Sequence, residues 1–270
     1  MTEDQRMLLA VDAGNTQTVV GLYELDGGTS AGRRPEAGLL DHWRISTAAD
    51  RTSDEYAVML QGFLALRRNS FSDIDGIVIS SGVPRVTATL RQVTDRHLDF
   101  EPIVIGPGVR SGIRIDYDNP KEVGADRIAN AVGAYDLYGG PTIIADFGTA
   151  TTCDAVSEDG VYLGGAIAPG IEISMDALVG RASALRAVEL NEPRNVLGKS
   201  TVESIQSGAV YGFAAQVDGL CDRIEAELGT CTVISTGGLA ETITPFSKRI
   251  QHTEPWLTLH GLRLIYEKNV

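Results

Sequence analysis

Leu9-Ala10-Val11-Asp12-Ala13-Gly14-Asn15-Thr16-Gln17-Thr18-Val19-Val20 returns in outline 134 residues later as Ile143-Ile144-Ala145-Asp146-Phe147-Gly148-Thr149-Ala150-Thr151-Thr152-Cys153-Asp154. Each stretch is an apolar strand ending on Asp, a glycine two residues on, small hydroxyl or amide residues, and a second β-rich run. A strand, a tight glycine turn and a returning strand form a loop whose backbone N–H groups can surround phosphate oxygens. The Asp at the strand end can hold a cation against those phosphates. One Asp-x-Gly alone reads equally well as a plain hairpin turn. Two copies half a chain apart point instead to duplicated α/β domains closing on a nucleotide. A third echo agrees: Ile77-Val78-Ile79-Ser80-Ser81-Gly82 resembles Val233-Ile234-Ser235-Thr236-Gly237-Gly238, both apolar strands ending in small residues and glycine.

The rest of the composition narrows the field. A chain of 270 residues with 43% hydrophobic residues has ample core for one large domain or two moderate ones. Its net charge of −13 argues against a nucleic-acid partner, because scattered single cations offer no basic stripe to neutralise phosphates. No run of apolar residues is long enough to predict a membrane span. The opening Met1–Arg6 is polar, unlike a signal peptide, with Met7 a second candidate start. Three cysteines without CxxC spacing read as free thiols of a reducing cytoplasm, and four dispersed histidines show no transition-metal pattern.

Along the chain, two strands surround the first loop in residues 7–25, and a Gly/Arg-rich exposed loop follows over 27–38. The spacing of Tyr56, Leu60, Phe63 and Leu64 predicts a helix over 53–68. A strand at 74–81, a helix at 85–98 and a short strand at 102–105 complete the first half. Gly112–Pro120 reads as the bridge, giving domains 1–117 and 118–270. Asn119 with Pro120 and Glu122 has the form of a helix start, which places Asp126 and Arg127 in its first two turns. Strands at 142–147 and 151–156, a Gly164-Gly165 hinge, helices near 171–187, 201–228 and 257–268, and a strand at 231–236 fit parallel sheets flanked by helices.

Gly198-Lys199-Ser200-Thr201 invites a P-loop reading that its context refuses. That motif needs a glycine where this chain has Pro193, and a strand where Leu185–Asn195 is polar and broken by proline. Lys199 is then a solvated lysine, and the two Asp-Gly loops are the better phosphate holders.

At this point the residues resemble a known family. Asp12-Ala-Gly-Asn-Thr16, Gly124-Ala-Asp-Arg127, Asp146-Phe-Gly-Thr-Ala-Thr-Thr152, Gly164-Gly-Ala-Ile-Ala-Pro-Gly170, Gly198-Lys-Ser-Thr201, Ser207-Gly208 and Thr236-Gly-Gly-Leu-Ala240 stand in the order seen in type III pantothenate kinases. The resemblance runs from about Met7 to Asn269. Asp-x-Gly loops alone occur throughout the actin/hexokinase-like superfamily; the ordered set with Gly-Ala-Asp-Arg is the specific signal.

The resemblance implies an α/β protein of two duplicated ribonuclease-H-like (actin-like ATPase) domains with a nucleotide cleft between them. It implies ATP-dependent phosphorylation of pantothenate, the first step of coenzyme A synthesis, in the cytoplasm. Asp12, Ala13, Gly14, Asn15, Thr16, Gln17, Thr18 and Val19 would form the first phosphate loop, with Asp12 near Mg²⁺. Thr149 would contact ATP, and Asp146 would coordinate K⁺ or NH₄⁺. Tyr117, Gly124, Ala125, Asp126, Arg127 and Thr201 would hold pantothenate, partly across a homodimer interface, and Asp126 would be the general base. The physical chemistry is compatible: phosphoryl transfer needs alignment and charge neutralisation, and a carboxylate can accept the hydroxyl proton. On sequence alone each residue has a plainer role. Asp126-Arg127 could be a surface ion pair or a helix-dipole charge at a helix start, Thr201 a cap and Tyr117 a packed aromatic. Two alternatives remain, another small-molecule kinase of the superfamily and a non-catalytic nucleotide-binding regulatory relative. The first often carries a Cys/His zinc cluster, which is absent from this sequence; the second would lack Asp126 or Asp146.

Overall fold

The computed structural model describes residues 6–25, 34–182 and 185–270. In chain order they form β1 (Met7–Ala13), β2 (Gln17–Glu24), β3 (Leu39–Ser46), α1 (Ser53–Leu66), β4 (Gly76–Ser81), α2 (Pro84–His97), β5 (Ile103–Val104) and β6 (Arg114–Ile115). They continue as α3 (Ala125–Tyr138), β7 (Thr142–Phe147), β8 (Ala150–Val156), β9 (Val161–Pro169), α4 (Ile171–Arg181), α5 (Thr201–Leu228), β10 (Thr232–Thr236), α6 (Ala240–Ile243), β11 (His252–Thr253) and α7 (Leu257–Glu267).

The repeat seen in the sequence is a repeat of topology. One sheet has the order β3-β2-β1-β4-β5; the other runs β9-β8-β7-β10-β11 with β6 added beside β9. In each, the strand that ends on the repeated Asp pairs antiparallel with its hairpin partner and parallel with the echo strand. Asp12 stands opposite Val19 and beside Ser80, and Asp146 opposite Thr152 and beside Thr236. Strands flanked on both sides read as continuous apolar runs, as Leu8–Val11 and Ile143–Ala145 do.

Side chains alternate across a strand, so each sheet sorts its residues by parity. In the first unit Leu9, Val11 and Ala13 join Leu60 and Leu64 of α1 and Leu90 and Val93 of α2 in one core. Helix α7 packs on β1, β4 and β2. In the second unit Ile143, Ala145, Phe147 and Cys153 pack with Ala214, Val217 and Cys221 of α5. Asp12 and Asp146 have the opposite parity in both units.

Two compact units emerge, but a single cut at 117/118 does not separate them. The first comprises the chain up to Arg114, Asp118–Leu137 and Trp256–Val270; the second comprises Ile115–Tyr117 and Tyr138–Pro255. Helices α3 and α7 both belong to the first: Thr258 Oγ1 donates to Asn130 Oδ1 at 2.7 Å, and the backbones come so close at Gly261 that a carbon there would lie 1.9 Å from the Ala129 carbonyl oxygen. Composition gives no sign of such a return.

Local corrections follow the same physics. Asn119-Pro120 opens only a 3-10 turn (Pro120–Glu122), where the Asn119 side chain accepts from Lys121 N at 3.3 Å. The long helix restarts at Ala125, after the extended Val123. Gly164-Gly165 is no hinge but lies inside β9, where a carbon on Gly165 would meet the Cys153 carbonyl at 2.1 Å. Helix α4 ends at Arg181 rather than near 187. The expected loop at 27–38 lies mostly outside the described residues, which resume at Arg34.

Candidate active site

The first loop is braced from behind and open in front. Gly14 N donates to Gln17 O at 3.0 Å, closing a three-residue connection between β1 and β2. Gly82, just beyond β4, donates its N–H to Ala13 O at 3.3 Å, and Thr47 N donates to Thr16 O at 2.9 Å. Ala13 and Thr18 are wholly buried, with the Thr18 hydroxyl 2.8 Å from that of Thr47. Asn15, Thr16 and Gln17 are exposed and Asp12 is half-buried. The loop therefore offers backbone and amide donors at its tip and a carboxylate at its base, which suits a phosphate–cation pair. No local sequence signal marks Thr47; only the β2–β3 pairing brings it there.

The second loop is tighter. Gly148 N donates to Ala150 O at 3.0 Å across a two-residue turn. Two glycines press against it: Gly170 donates to Thr149 O at 3.1 Å, and Gly237, with φ of 93°, stands beside Asp146. A side-chain carbon on Gly237 would lie 2.3 Å from Asp146 Oδ1. Thr149 and Asp146 are both half-buried. In the sequence Gly237 is legible only as part of the strand-end echo.

Gly124 to Arg127 form the first turn of α3, with Ile128 N donating to Gly124 O at 3.1 Å. Asp126 is exposed, and its Oδ1 accepts the Arg127 N–H at 2.8 Å. A carbon on Gly124 would come within 2.5 Å of that same oxygen, so glycine keeps the carboxylate accessible. Arg127 is only 7% exposed, which removes the reading of Asp126-Arg127 as a solvated surface pair. An enclosed guanidinium must be held by its neighbours.

In the second unit, Tyr117 follows β6 and lays its ring over Gly164 of β9. Thr201 opens α5, but the cap there is Ser200, whose hydroxyl accepts from Glu203 N at 3.2 Å. Thr201 lines a cavity of about 900 Å³ with Ser174, Met175, Leu178, Ile205 and Phe213. Residues 185–200 hold no strand and Lys199 is exposed, as the rejection of a P-loop required. Among the described residues no three His, Cys, Asp or Glu side chains converge as a metal centre. A cation at Asp12 or Asp146 would thus share single carboxylates with oxygen ligands from its substrate or the backbone.

Two sheets of one strand order, each carrying its repeated carboxylate at a strand end beside a glycine turn, define a duplicated α/β fold of the ribonuclease-H-like kind. A polyphosphate/ATP-glucomannokinase from Arthrobacter shares it, with a TM-score of 0.52 at 12% identity over 97% of this chain and 99% of that one. A Campylobacter jejuni protein assigned to the Baf transcriptional activators shares it too, with a TM-score of 0.59 at 17% identity over 97% and 98%. At such identities the likeness is one of fold alone, two duplicated ribonuclease-H-like α/β units.

Sequence comparison goes further. The type III pantothenate kinase family model matches residues 8–223. A type III pantothenate kinase of Streptomyces griseus is 53% identical over 98% of this chain and 99% of its own length. One from Myxococcus xanthus is 48% identical over 97% and 99%. The chain belongs to the type III pantothenate kinase family.

Proposed function

We propose that this chain transfers a phosphoryl group from ATP to the primary hydroxyl of pantothenate, the first step of coenzyme A synthesis, with Asp126 as general base. The observation that carries the reading is Asp126 itself: an exposed carboxylate, kept open by Gly124 and oriented by the Arg127 N–H, in a family whose relatives are named for this reaction. The carboxylate takes the hydroxyl proton as the oxygen attacks the γ-phosphorus of ATP and the bond from that phosphorus to the bridging oxygen breaks, releasing ADP. Arg127, with Gly124, Ala125, Tyr117 and Thr201, holds the substrate, including its far carboxylate. The exposed Asn15–Gln17 tip and Thr149 meet the phosphates of ATP.

Asp12 fits a hard cation, being a half-buried carboxylate beside a loop of N–H donors. Mg²⁺ bound there would neutralise phosphate charge. Asp146 suits a monovalent cation such as K⁺ or NH₄⁺, being a half-buried carboxylate at the base of the second glycine turn, with the backbone of Gly237 held close to its Oδ1. A homodimer is supported by apolar side chains left exposed in the second unit: Ile173 and Leu178 of α4, Val196, Leu197 and Val202. Ile171 of the same helix is buried in the core. Three free, buried thiols suit a reducing cytoplasm. No described helix is long and apolar enough to cross a membrane.

The test is ADP formation coupled to pantothenate, in K⁺ against Na⁺. Pantothenate-dependent turnover is expected; its absence with Mg²⁺ and K⁺ present refutes the reading.

A further inference from the structure

On the opposite face of the second sheet from Cys153, one column of residues has no role in the chemistry above. Asp154, 1% exposed in the middle of β8, accepts from Tyr162 Oη at 2.8 Å and from Thr152 Oγ1 at 3.1 Å. A buried carboxylate is costly unless hydrogen-bonded, so these donors are held in return. Tyr162 is itself fully buried, and its ring centroid lies 6.3 Å from that of Tyr117 at a tilt of 48°. The backbone closes the same unit, since Asp116 N donates to Tyr162 O at 2.8 Å. Gly164, two residues further along β9, has φ of 106° and presents bare backbone to the Tyr117 ring. A carbon there would lie 3.2 Å from Cε2 and 3.3 Å from Cδ2.

We infer that Gly164 and Tyr162 are positioning residues for pantothenate binding: with Asp154 anchoring Tyr162, they form a rigid bed that fixes where the Tyr117 ring meets the substrate. The inference rests on the reading of Tyr117 as a pantothenate contact. The ring is bounded by Gly164 on one side and Tyr162 on another, yet remains 36% exposed, enough to offer a surface to a ligand. A methyl at 164 pushes the ring outward by a few tenths of an ångström. Loss of the Tyr162 hydroxyl breaks its bond to Asp154 and leaves that buried carboxylate a donor short, so the Tyr162 ring no longer has a fixed anchor against Tyr117. Such displacement weakens the one substrate contact the ring makes, and a loss of about 1.4 kcal/mol there is tenfold in affinity.

The experiment measures KM for pantothenate, KM for ATP and kcat in Gly164→Ala, Tyr162→Phe, Tyr117→Ala and the double variant Gly164→Ala/Tyr117→Ala. Gly164→Ala is expected to raise the pantothenate KM roughly tenfold with the ATP KM nearly unchanged, and to add nothing further once Tyr117 is Ala. Tyr162→Phe keeps the backbone and ring, and reports the same shift should Gly164→Ala fail to fold. If Tyr117→Ala raises the pantothenate KM while Gly164→Ala and Tyr162→Phe do not, the bed is not what positions it and the inference falls. It falls equally if Gly164→Ala acts to the same extent in both backgrounds. If Tyr117→Ala itself leaves the pantothenate KM untouched, the substrate reading of Tyr117 fails first and the inference with it.

Discussion

Gly237 stands where any other residue would collide with Asp146: a side-chain carbon would fall 2.3 Å from Oδ1 and 2.7 Å from the Phe147 backbone. Its φ of 93° also lies where L side chains are strained. The strand-end glycine thus serves the carboxylate of a neighbouring strand, and β10–β7 pairing at Thr236–Asp146 delivers it there.

Gly237→Ala is therefore expected to suppress K⁺ stimulation of turnover beyond any loss of stability. Gly229→Ala is the control, because Gly229 has φ of 85° with nothing within 4 Å. Backbone strain on the order of 1–3 kcal/mol should lower Tm in both variants. Only Gly237→Ala should need more K⁺ for half-maximal rate. Equal K⁺ titrations for the two variants would remove the cation assignment from Asp146.

Asp126→Asn separates base from helix-start charge. The amide preserves size and can still accept the Arg127 N–H, but it does not take a proton at neutral pH. General-base catalysis is worth about 10²–10⁴ in rate, or roughly 3–5 kcal/mol of barrier. The variant should melt close to the parent and bind ATP while losing turnover by that factor. A pure helix-terminus role would instead cost about 0.3–1 kcal/mol of stability with catalysis nearly intact.

Much of this is legible in the chain because it is local. The two Asp-Gly hairpins, the echo strands and the helix at 201–228 are patterns of period two, period 3.6 and glycine placement, and the structure has each of them. What the chain does not disclose depends on contacts between distant segments. Gly261 returns α7 to the first unit through Ala129, and Tyr117 joins the second through Gly164. A glycine chosen for its neighbour's shape looks, in sequence, like a glycine chosen for a turn; Gly164-Gly165 reads as a hinge for that reason. The helix start at Asn119 fails similarly, since a sound cap motif can open a single turn as well as a helix.

His260 gives the fold a pH dependence. It is 1% exposed on α7, and its Nε2 lies 3.0 Å from Asp136 Oδ2 of α3, with Arg263 Nη2 3.4 Å from Nδ1 and Glu267 on the same helix. Burial lowers its pKa below the ordinary 6.5, only partly opposed by the hydrogen bond to Asp136. A depressed folded pKa means the unfolded chain binds the proton more readily, so this stability is full above about pH 6.5 and lost as pH falls through the folded value. Thermal melts should show Tm falling from pH 7 to pH 5, less steeply in His260→Asn. Parallel slopes would show that other groups carry the effect.

Cys153, Cys221 and Cys231 all lie in the second unit, and together they make a probe of its opening. Burial raises the thiols of Cys153 and Cys221 to about 12. At pH 8 that leaves roughly one molecule in 10⁴ as thiolate, the reactive form. Native protein should therefore resist Ellman's reagent, whereas guanidinium should release all three thiols. Ligands that bind only the folded second unit slow labelling by the factor 1 + [L]/Kd. ATP at 100 times its Kd stabilises by about 2.7 kcal/mol, close to a hundredfold slower labelling where exchange follows cooperative opening. If Thr149 contacts ATP and Asp146 holds the cation, as proposed, ATP with K⁺ should protect more strongly than ATP with Na⁺. Labelling that is rapid in the native protein would contradict the burial, and protection indifferent to K⁺ would contradict the role given to Asp146.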